Sequence, residues 1–133
     1  MEFVCTKCGH KEEVTTRKSK CECGGLWKLN YVPTKYSAEL IDHSVWGLFR
    51  YRRFMPLTGD TWQQVTLGEG MTPIITFDAH TLFKMDYYMP TLSFKDRGAA
   101  VLVTHIKKLG VDKVVQDSSG NAEIGRASCR ERV

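Results

Sequence analysis

Two closely spaced pairs of cysteines restrict the folding of this chain more than any other feature of its sequence. Cys5 and Cys8 are separated by two residues and Cys21 and Cys23 by one, with twelve residues between the pairs. Two such pairs joined by an insert of hairpin length can surround a Zn²⁺ ion with four thiolates. Glycines follow both pairs and suit the tight turns that such a site needs. The spacing therefore predicts a zinc-ribbon-like segment over residues 1–31 with these four metal ligands.

Other interpretations of this segment stay open. The second pair is tighter than the usual two-residue gap, so the cysteines could instead be reduced thiols in a turn-rich segment without a metal. His10 could replace one ligand, although a histidine beside Lys11 is more often solvated. A site closed by four thiolates has no open coordination position, so its metal would be structural and not catalytic.

A zinc ribbon also raises the alternative of a nucleic-acid-binding module. Residues 32–66 form an arm rich in aromatic and basic side chains, above all in the run Leu48–Phe54, and single-strand binders combine these residue types. The net charge of only +4 instead favours aromatics in a core and arginines paired with nearby carboxylates. We expect no nucleic-acid partner.

The composition, with 42% hydrophobic and 26% charged residues, is typical of a soluble globular protein of about one domain. No run approaches the ~18 apolar residues of a membrane span, and the first residues lack the basic-then-apolar order of a signal peptide. We therefore expect a cytoplasmic protein that has no membrane partner.

An α/β pattern begins at residue 67. The tract 67–73, Leu-Gly-Glu-Gly-Met-Thr-Pro, is turn-forming because of its two glycines and its proline. Strands are predicted after it at Ile74–Phe77 and Leu82–Met85. Apolar or small residues then recur near helical spacing between an N-cap at Ser93 and a stop at Gly110.

Residues 113–116 are a further strand candidate, and residues 117–121 read Asp-Ser-Ser-Gly-Asn, a turn that leads into another helix. The order strand, helix, strand, glycine turn and helix opens an α/β unit.

Lys95 has an unusual place in the predicted helix. Residues 93–98 read Ser-Phe-Lys-Asp-Arg-Gly, so the lysine falls in the first turn, where the positive end of the helix dipole disfavours a cation by roughly 0.3 kcal/mol or more. The same position favours the neutral amine, which is the form that attacks an aldehyde. Asp96 and Arg97 are interpreted as local structural ions.

Three motifs together resemble one enzyme family. Residues 93–98 resemble the cofactor-lysine motif of the fold-type-II, tryptophan-synthase-β-like pyridoxal-phosphate (PLP) enzymes, and residues 117–122 resemble their second motif. The tract 67–73 is similar to the one that precedes both in threonine synthases, as are the cysteine-rich lead-in and residues 46–57. The resemblance implies that residues 67–122 begin a three-layer αβα catalytic domain.

The resemblance also implies roles for individual residues. Lys95 would hold PLP covalently as a Schiff base and later move the α-proton of the substrate, and Phe94 would lie against the pyridine ring. Asn121 would donate a hydrogen bond to the 3′ oxygen of the cofactor. Ser118 and Ser119, with Asn121 and the amides of the turn, would hold the substrate carboxylate. A serine-rich turn that opens a helix offers N–H groups and hydroxyls to an anion in any case.

The function implied by the resemblance is that of a PLP-dependent lyase. The complete enzyme would convert O-phospho-L-homoserine and water to L-threonine and phosphate, acting on a small amino-acid substrate as a homodimer. A threonine or serine dehydratase and a cysteate-synthase-like enzyme are the alternatives within the family.

The chain departs from the family pattern in two ways. The family commonly has Asn-Pro-Thr-Gly before Ser-Phe-Lys, whereas residues 89–92 here are Met-Pro-Thr-Leu, which leaves the substrate less determined. The glycine-rich phosphate loop of the family is missing from residues 1–122.

The last segment, residues 123–133, has no apolar period and can be back-translated into a string that resembles a sequencing adapter. We expect an adapter-derived tail behind a truncated enzyme, and a fragment that is inactive and poorly stable because its sheet edges are uncovered. A natural short paralogue used only for binding is the alternative.

Overall fold

The computed structural model describes residues 1–15 and 17–115. The chain divides into two compact units, the first made of Met1–Tyr36 with Phe54–Pro56 and the second of Ser37–Arg53 with the chain from Leu57 onward. None of the helices in the described ranges has the length and apolar character that a membrane crossing requires.

The first unit contains a small antiparallel sheet. Its strands are β1 (Glu2–Cys5), β2 (Lys11–Glu13) and β3 (Trp27–Asn30), in the order β2-β1-β3. β1 and β3 confirm the apolar strand candidates that the sequence offers on either side of the cysteines, at residues 3–4 and 26–31. β2 was not predicted because its sequence, Lys-Glu-Glu, has no apolar residue, and it forms only as an edge strand against β1.

The second unit begins with short 3₁₀ helices at Ala38–Leu40, Leu48–Phe54 and Thr61–Gln64, the second of which ends with a residue assigned to the first unit. Residues 32–66, predicted as an aromatic and basic arm, thus include three short helices. The antiparallel strands β4 (Ile74–Thr76) and β5 (Leu82–Lys84) follow, and helix α1 covers Asp96–Lys108.

The core of the second unit lies between α1 and the 3₁₀ helices. Phe49 and Trp62 stack with their ring centroids 5.2 Å apart, and both pack against Ala100, which is fully buried on α1. Ala99 and Val103, on the same side of α1, form a second cluster with Val65. These contacts confirm that aromatic residues of the arm belong to a core.

Two details of the predicted α/β pattern are wrong. Helix α1 begins at Asp96 and not directly after a Ser93 cap, because the Ser93 carbonyl accepts from the Asp96 N–H at 3.2 Å and closes a separate tight turn. Residues 113–115 of the predicted strand 113–116 are not a strand. Among the described residues β4 and β5 pair with each other, which leaves residues 113–115 without a partner strand.

An ion pair anchors the beginning of the second unit. One oxygen of Asp42 accepts a hydrogen bond from Arg52 Nη2 at 2.6 Å, and the other accepts from the Ser44 backbone N–H at 3.0 Å. The Ser44 hydroxyl and then the Arg52 guanidinium lower the pKa of Asp42 from 3.8 to about 2. Arg52 also lies over the Trp62 ring, with Cζ 5.2 Å from the centroid.

The ion pair predicts a defined loss of stability in acid. Because the pKa of Asp42 is lower in the folded chain, its stabilising effect is complete above pH 3.8 and disappears as the pH falls towards 2. In urea unfolding followed by Trp62 fluorescence, Asp42→Asn should unfold earlier than the unchanged chain near neutral pH, and the difference should vanish in strong acid. Asp60→Asn is the control, since Asp60 makes no side-chain capping bond. A difference that keeps its full size at pH 2 would contradict the assignment.

Candidate functional site

The four cysteines predicted as metal ligands lie together in the first unit. All their sulfur atoms are within 4.8 Å of one another, with Cys5 Sγ 3.5 Å from Cys23 Sγ and Cys8 Sγ 3.7 Å from Cys21 Sγ. A tetrahedral Zn²⁺ with Zn–S bonds of about 2.3 Å requires sulfurs about 3.8 Å apart. The arrangement therefore fits zinc. His10, the alternative ligand, is not in this cluster; its Nε2 lies 3.4 Å from a carboxylate oxygen of Glu12.

Tight turns set the positions of these sulfurs. The Gly9 N–H donates to the Cys5 carbonyl at 3.0 Å, and the Gly24 N–H donates to the Cys21 carbonyl at 2.8 Å. Gly25 is buried behind the cluster, where a Cβ atom would overlap the sulfur of Cys5 and lie 2.8 Å from Lys7 Cβ. Only a residue without a side chain fits at position 25.

The sulfurs differ in acidity because of their hydrogen bonds. The Cys8 N–H, and with it the Lys7 N–H 3.4 Å away, lowers the pKa of Cys5 to about 6. The Gly25 N–H acts in the same sense on Cys23, but the neighbouring sulfurs of Cys8 and Cys5 outweigh it and raise the pKa of Cys23 to about 12. The Cys5 thiolate is thus favoured, whereas the neighbouring sulfurs disfavour a second thiolate at Cys23. A bound cation would offset this repulsion and allow all four thiols to lose their protons.

In the second unit, the glycine-containing tract 67–73 packs against the start of the second 3₁₀ helix. The Leu48 N–H donates to the Glu69 carbonyl. A Cβ on Gly47 would lie 2.6 Å from that carbonyl oxygen, and one on Gly70 would lie 2.8 Å from the Leu48 nitrogen. Both glycines also have positive φ angles, +92° and +101°. The tract requires glycine at these positions for both reasons.

The Glu69 side chain stabilises the tract through hydrogen bonds to residues at its start. Its carboxylate is buried and accepts hydrogen bonds from the Thr66 hydroxyl at 2.9 Å and from the Leu67 N–H at 3.0 Å. These hydrogen bonds give partners to the Thr66 hydroxyl and the Leu67 N–H, in a segment that is neither helix nor sheet.

Lys95 lies immediately before α1, in helical conformation and half-buried. Its backbone N–H donates to the Ser93 hydroxyl at 3.3 Å. The next residue, Asp96, is 2% exposed, and its carboxylate accepts from the Thr91 N–H at 2.8 Å and from the Thr91 hydroxyl. Asp96 is therefore a structural ion, as the sequence suggested. Phe94, on the other side of Lys95, is 60% exposed.

A polar network joins the tract, the hairpin and the helix. Arg97 Nη2 donates to an Asp86 carboxylate oxygen at 2.6 Å and to the Thr72 hydroxyl oxygen at 3.2 Å, while the Thr72 hydroxyl donates to the same Asp86 oxygen at 3.1 Å. We call Thr72, Asp86 and Arg97 the anchor network. It lines an open cleft of about 390 Å³ together with Tyr51, Met71 and Lys84.

The described residues include some of the predicted cofactor-site residues. Phe94 and Lys95 are adjacent at the start of α1, whereas Ser118, Ser119 and Asn121 lie outside the described residues, so their roles remain predictions. Thr72 and Asp86 were not singled out from the sequence. The signal available for Asp86 was a lone carboxylate just after a predicted strand, which is too common to be informative.

Known proteins similar to this chain agree on one family. Residues 65–128 match the family described as pyridoxal-phosphate dependent enzyme. The threonine synthase of Methanocaldococcus jannaschii is 33% identical over 96% of this chain and 34% of its own length. That of Methanosarcina acetivorans is 30% identical over 92% of this chain and 32% of its own length. That of Halalkalibacterium halodurans is 34% identical over 61% and 25%, respectively. No solved structure matches the chain.

The chain is threonine synthase-like, and residues 65–128 belong to the pyridoxal-phosphate dependent enzymes. It spans about a third or less of the length of the curated threonine synthases that it matches. The mixed α/β content of the structure agrees with this family. The family match reaches residue 128, inside the segment 123–133 interpreted as an adapter-derived tail, and that interpretation remains a prediction.

The described residues offer part of what the threonine synthase-like family needs for PLP. The amine of Lys95 provides a group that can bond to the aldehyde, and exposed Phe94 provides an aromatic side chain next to it. Both stand at the amino end of α1, where the helix dipole is positive and suits an anionic cofactor. This set of groups fits PLP.

Leu92 stands where threonine synthase-like sequences commonly have glycine, and its backbone conformation is strained. Its φ angle is +59°, in the left-handed region that leucine rarely adopts, and its side chain is 76% exposed. The turn needs this conformation because the Leu92 N–H donates to the Met89 carbonyl at 2.9 Å while Thr91 bonds to Asp96. The strain should cost about 1–2 kcal/mol.

Gly25→Ala should disrupt the metal site. The added methyl group overlaps the Cys5 sulfur, so we expect Zn²⁺ affinity to fall on the order of 100-fold, measured by chelator competition and by the visible spectrum with Co²⁺. Gly9→Ala is the control because position 9 has positive φ but open space around it, so it tests backbone strain without the clash. Equal losses in both variants would rule out the steric explanation.

Leu92→Gly should stabilise the protein. Relief of the left-handed strain outweighs the extra entropy of glycine in the unfolded chain, which gives a net gain of about 1 kcal/mol in the free energy of unfolding. Leu92→Ala keeps the Cβ atom and should change stability little, since the leucine side chain is mostly exposed. Chemical denaturation of the three proteins provides the measurement, and a gain of the same size with alanine would refute the explanation.

Proposed function

We propose that this chain is part of a PLP-dependent threonine synthase. The complete enzyme converts O-phospho-L-homoserine and water to L-threonine and phosphate. The observation that carries the proposal is the position of Lys95, at the amino end of the helix in the segment that matches the PLP enzymes. The similarity of nearly the whole chain to archaeal threonine synthases supports this choice of reaction.

In this proposal each site residue has a separate role. Lys95 holds the cofactor and afterwards moves a proton at the α-carbon of the substrate. The cofactor, when bound, supplies an electron sink for the negative charge that develops at that carbon. Phe94 packs against the cofactor ring. Ser118 and Ser119 hold the substrate carboxylate through their hydroxyls and the amides of their turn, and Asn121 binds both the cofactor oxygen and the substrate.

Two carboxylates around the start of α1 are engaged with other parts of the chain. Asp96 is buried and accepts hydrogen bonds from Thr91, and Asp86 accepts one from Arg97. In this proposal both stabilise the segment that carries Lys95 and neither binds the cofactor.

We propose that the first unit is a structural zinc module of the same protein. The buried residues in its described part are Cys5, Cys21 and Gly25, all of them at the sulfur cluster. A unit with so little apolar core needs another source of folding energy, and a four-thiolate zinc site provides one.

The role of Lys95 is tested by substitution in the complete protein. Lys95→Ala should abolish covalent labelling by PLP and borohydride at this position and reduce threonine formation by roughly 10³-fold or more. Lys107→Ala, in the last turn of the same helix, is the matched control and should keep both properties. Labelling of another lysine in the unchanged protein would refute the assignment.

The reaction is tested separately with the same preparations. Release of phosphate and formation of threonine from O-phospho-L-homoserine would support the synthase. Release of ammonia and a 2-oxo acid from threonine or serine would instead identify a dehydratase, and a sulfonated product from phosphoserine and sulfite would identify a cysteate-synthase-like enzyme. Each of these outcomes would leave the cofactor role of Lys95 in place.

A further inference from the structure

The anchor network connects segments that are far apart in sequence at one place in the second unit. Thr72 belongs to the glycine-containing tract, Asp86 follows β5, and Arg97 is the second residue of α1. Lys84, the last residue of β5, adds a contact from Nζ to the Thr72 carbonyl at 3.3 Å. The start of the helix is therefore attached to both the tract and the hairpin.

The start of α1 depends on such attachments because it has no side-chain cap of its own. The residue at the N-cap position is Lys95 itself, and no side-chain capping hydrogen bond is made there. Asp96 attaches the first turn to Thr91, inside the preceding loop. Arg97 attaches it to Asp86, near the start of the same loop, and to Thr72 in the glycine-containing tract. The two residues that follow Lys95 are thus held by separate contacts.

Within the network, the charge of Arg97 is already balanced. Its guanidinium shares a 2.6 Å contact with Asp86, and this hydrogen bond lowers the pKa of Asp86 below its usual range. A guanidinium neutralised in this way is a poor receptor for the phosphate or carboxylate of a substrate. The geometry favours a role in holding the helix over a role in binding an anion.

We propose that Asp86 is a positioning residue for Lys95: through Arg97 it fixes the first turn of α1 and so the direction in which the lysine amine points. The inference rests on the proposed function, since it concerns how the cofactor lysine is aimed. Asp86 itself need not touch substrate or cofactor. The ion pair is partly exposed, with side chains 32% and 41% accessible, so its removal should leave the fold intact.

The test measures the rate at which Lys95 is labelled by PLP and borohydride in the complete protein, with peptide mapping by mass spectrometry. Asp86→Ala should slow labelling of Lys95 on the order of tenfold, because small misplacements of a reacting group have large effects on rate. Asp86→Glu keeps the carboxylate and should restore most of the rate. Asp78→Ala is the matched control, since Asp78 lies in the loop of the same hairpin and accepts from the His80 N–H.

Thermal unfolding of each variant shows whether a slower rate comes from lost structure. If Asp86→Ala unfolds early, Arg97→Lys takes its place, because lysine keeps the positive charge but has a shorter side chain than the one whose Nη2 contacts both Asp86 and Thr72. Labelling of Lys95 at the original rate in a folded Asp86→Ala or Arg97→Lys protein overturns the inference and leaves the proposed function standing. Absence of Lys95 labelling in the unchanged protein overturns both.

Discussion

Carboxylates that accept backbone hydrogen bonds hold the second unit together. Much of this unit is neither helix nor sheet, so its N–H groups depend on side chains for partners. Asp42 accepts from Ser44, Glu69 from Leu67, and Asp96 from Thr91. Glu69 and Asp96 are almost completely buried, where an unpaired carboxylate would be very unfavourable. Each of these three loops is therefore stabilised by one acidic residue. Lys95 follows the loop that Asp96 stabilises.

The sequence was most informative where the relevant contacts are local. The cysteine spacing predicted a cluster of four sulfurs because short turns alone bring each pair together. β1 and β3 were predicted because each contains apolar residues, whereas β2 has no apolar residue and exists only through its pairing with β1. The packing of Phe49 and Trp62 confirms that aromatic residues of the arm contribute to a core.

The sequence was least informative where contacts join distant segments. The anchor network unites residues up to 25 positions apart, and neither Thr72 nor Asp86 carries a local pattern that marks it. The start of α1 was placed too early because Ser93 is a good cap by type, while the chain forms a separate turn there. The left-handed conformation of Leu92 could be anticipated only through a family in which glycine is common at that position. Residues 113–115 do not form a strand because a strand needs a neighbouring strand to pair with. The residue types alone do not show whether such a neighbour is present.

The two units are stabilised in different ways, which is compatible with the proposed structural metal and the proposed cofactor lysine in one chain. The first unit buries Cys5, Cys21 and Gly25, so the proposed zinc would couple its folding to metal affinity and to the deprotonation of the thiols. The second unit buries aromatic and aliphatic side chains against α1 and satisfies its loops with carboxylates. Loss of the proposed zinc should therefore act on the fold of residues 1–36, whereas the proposed positioning contacts for Lys95 lie within the second unit.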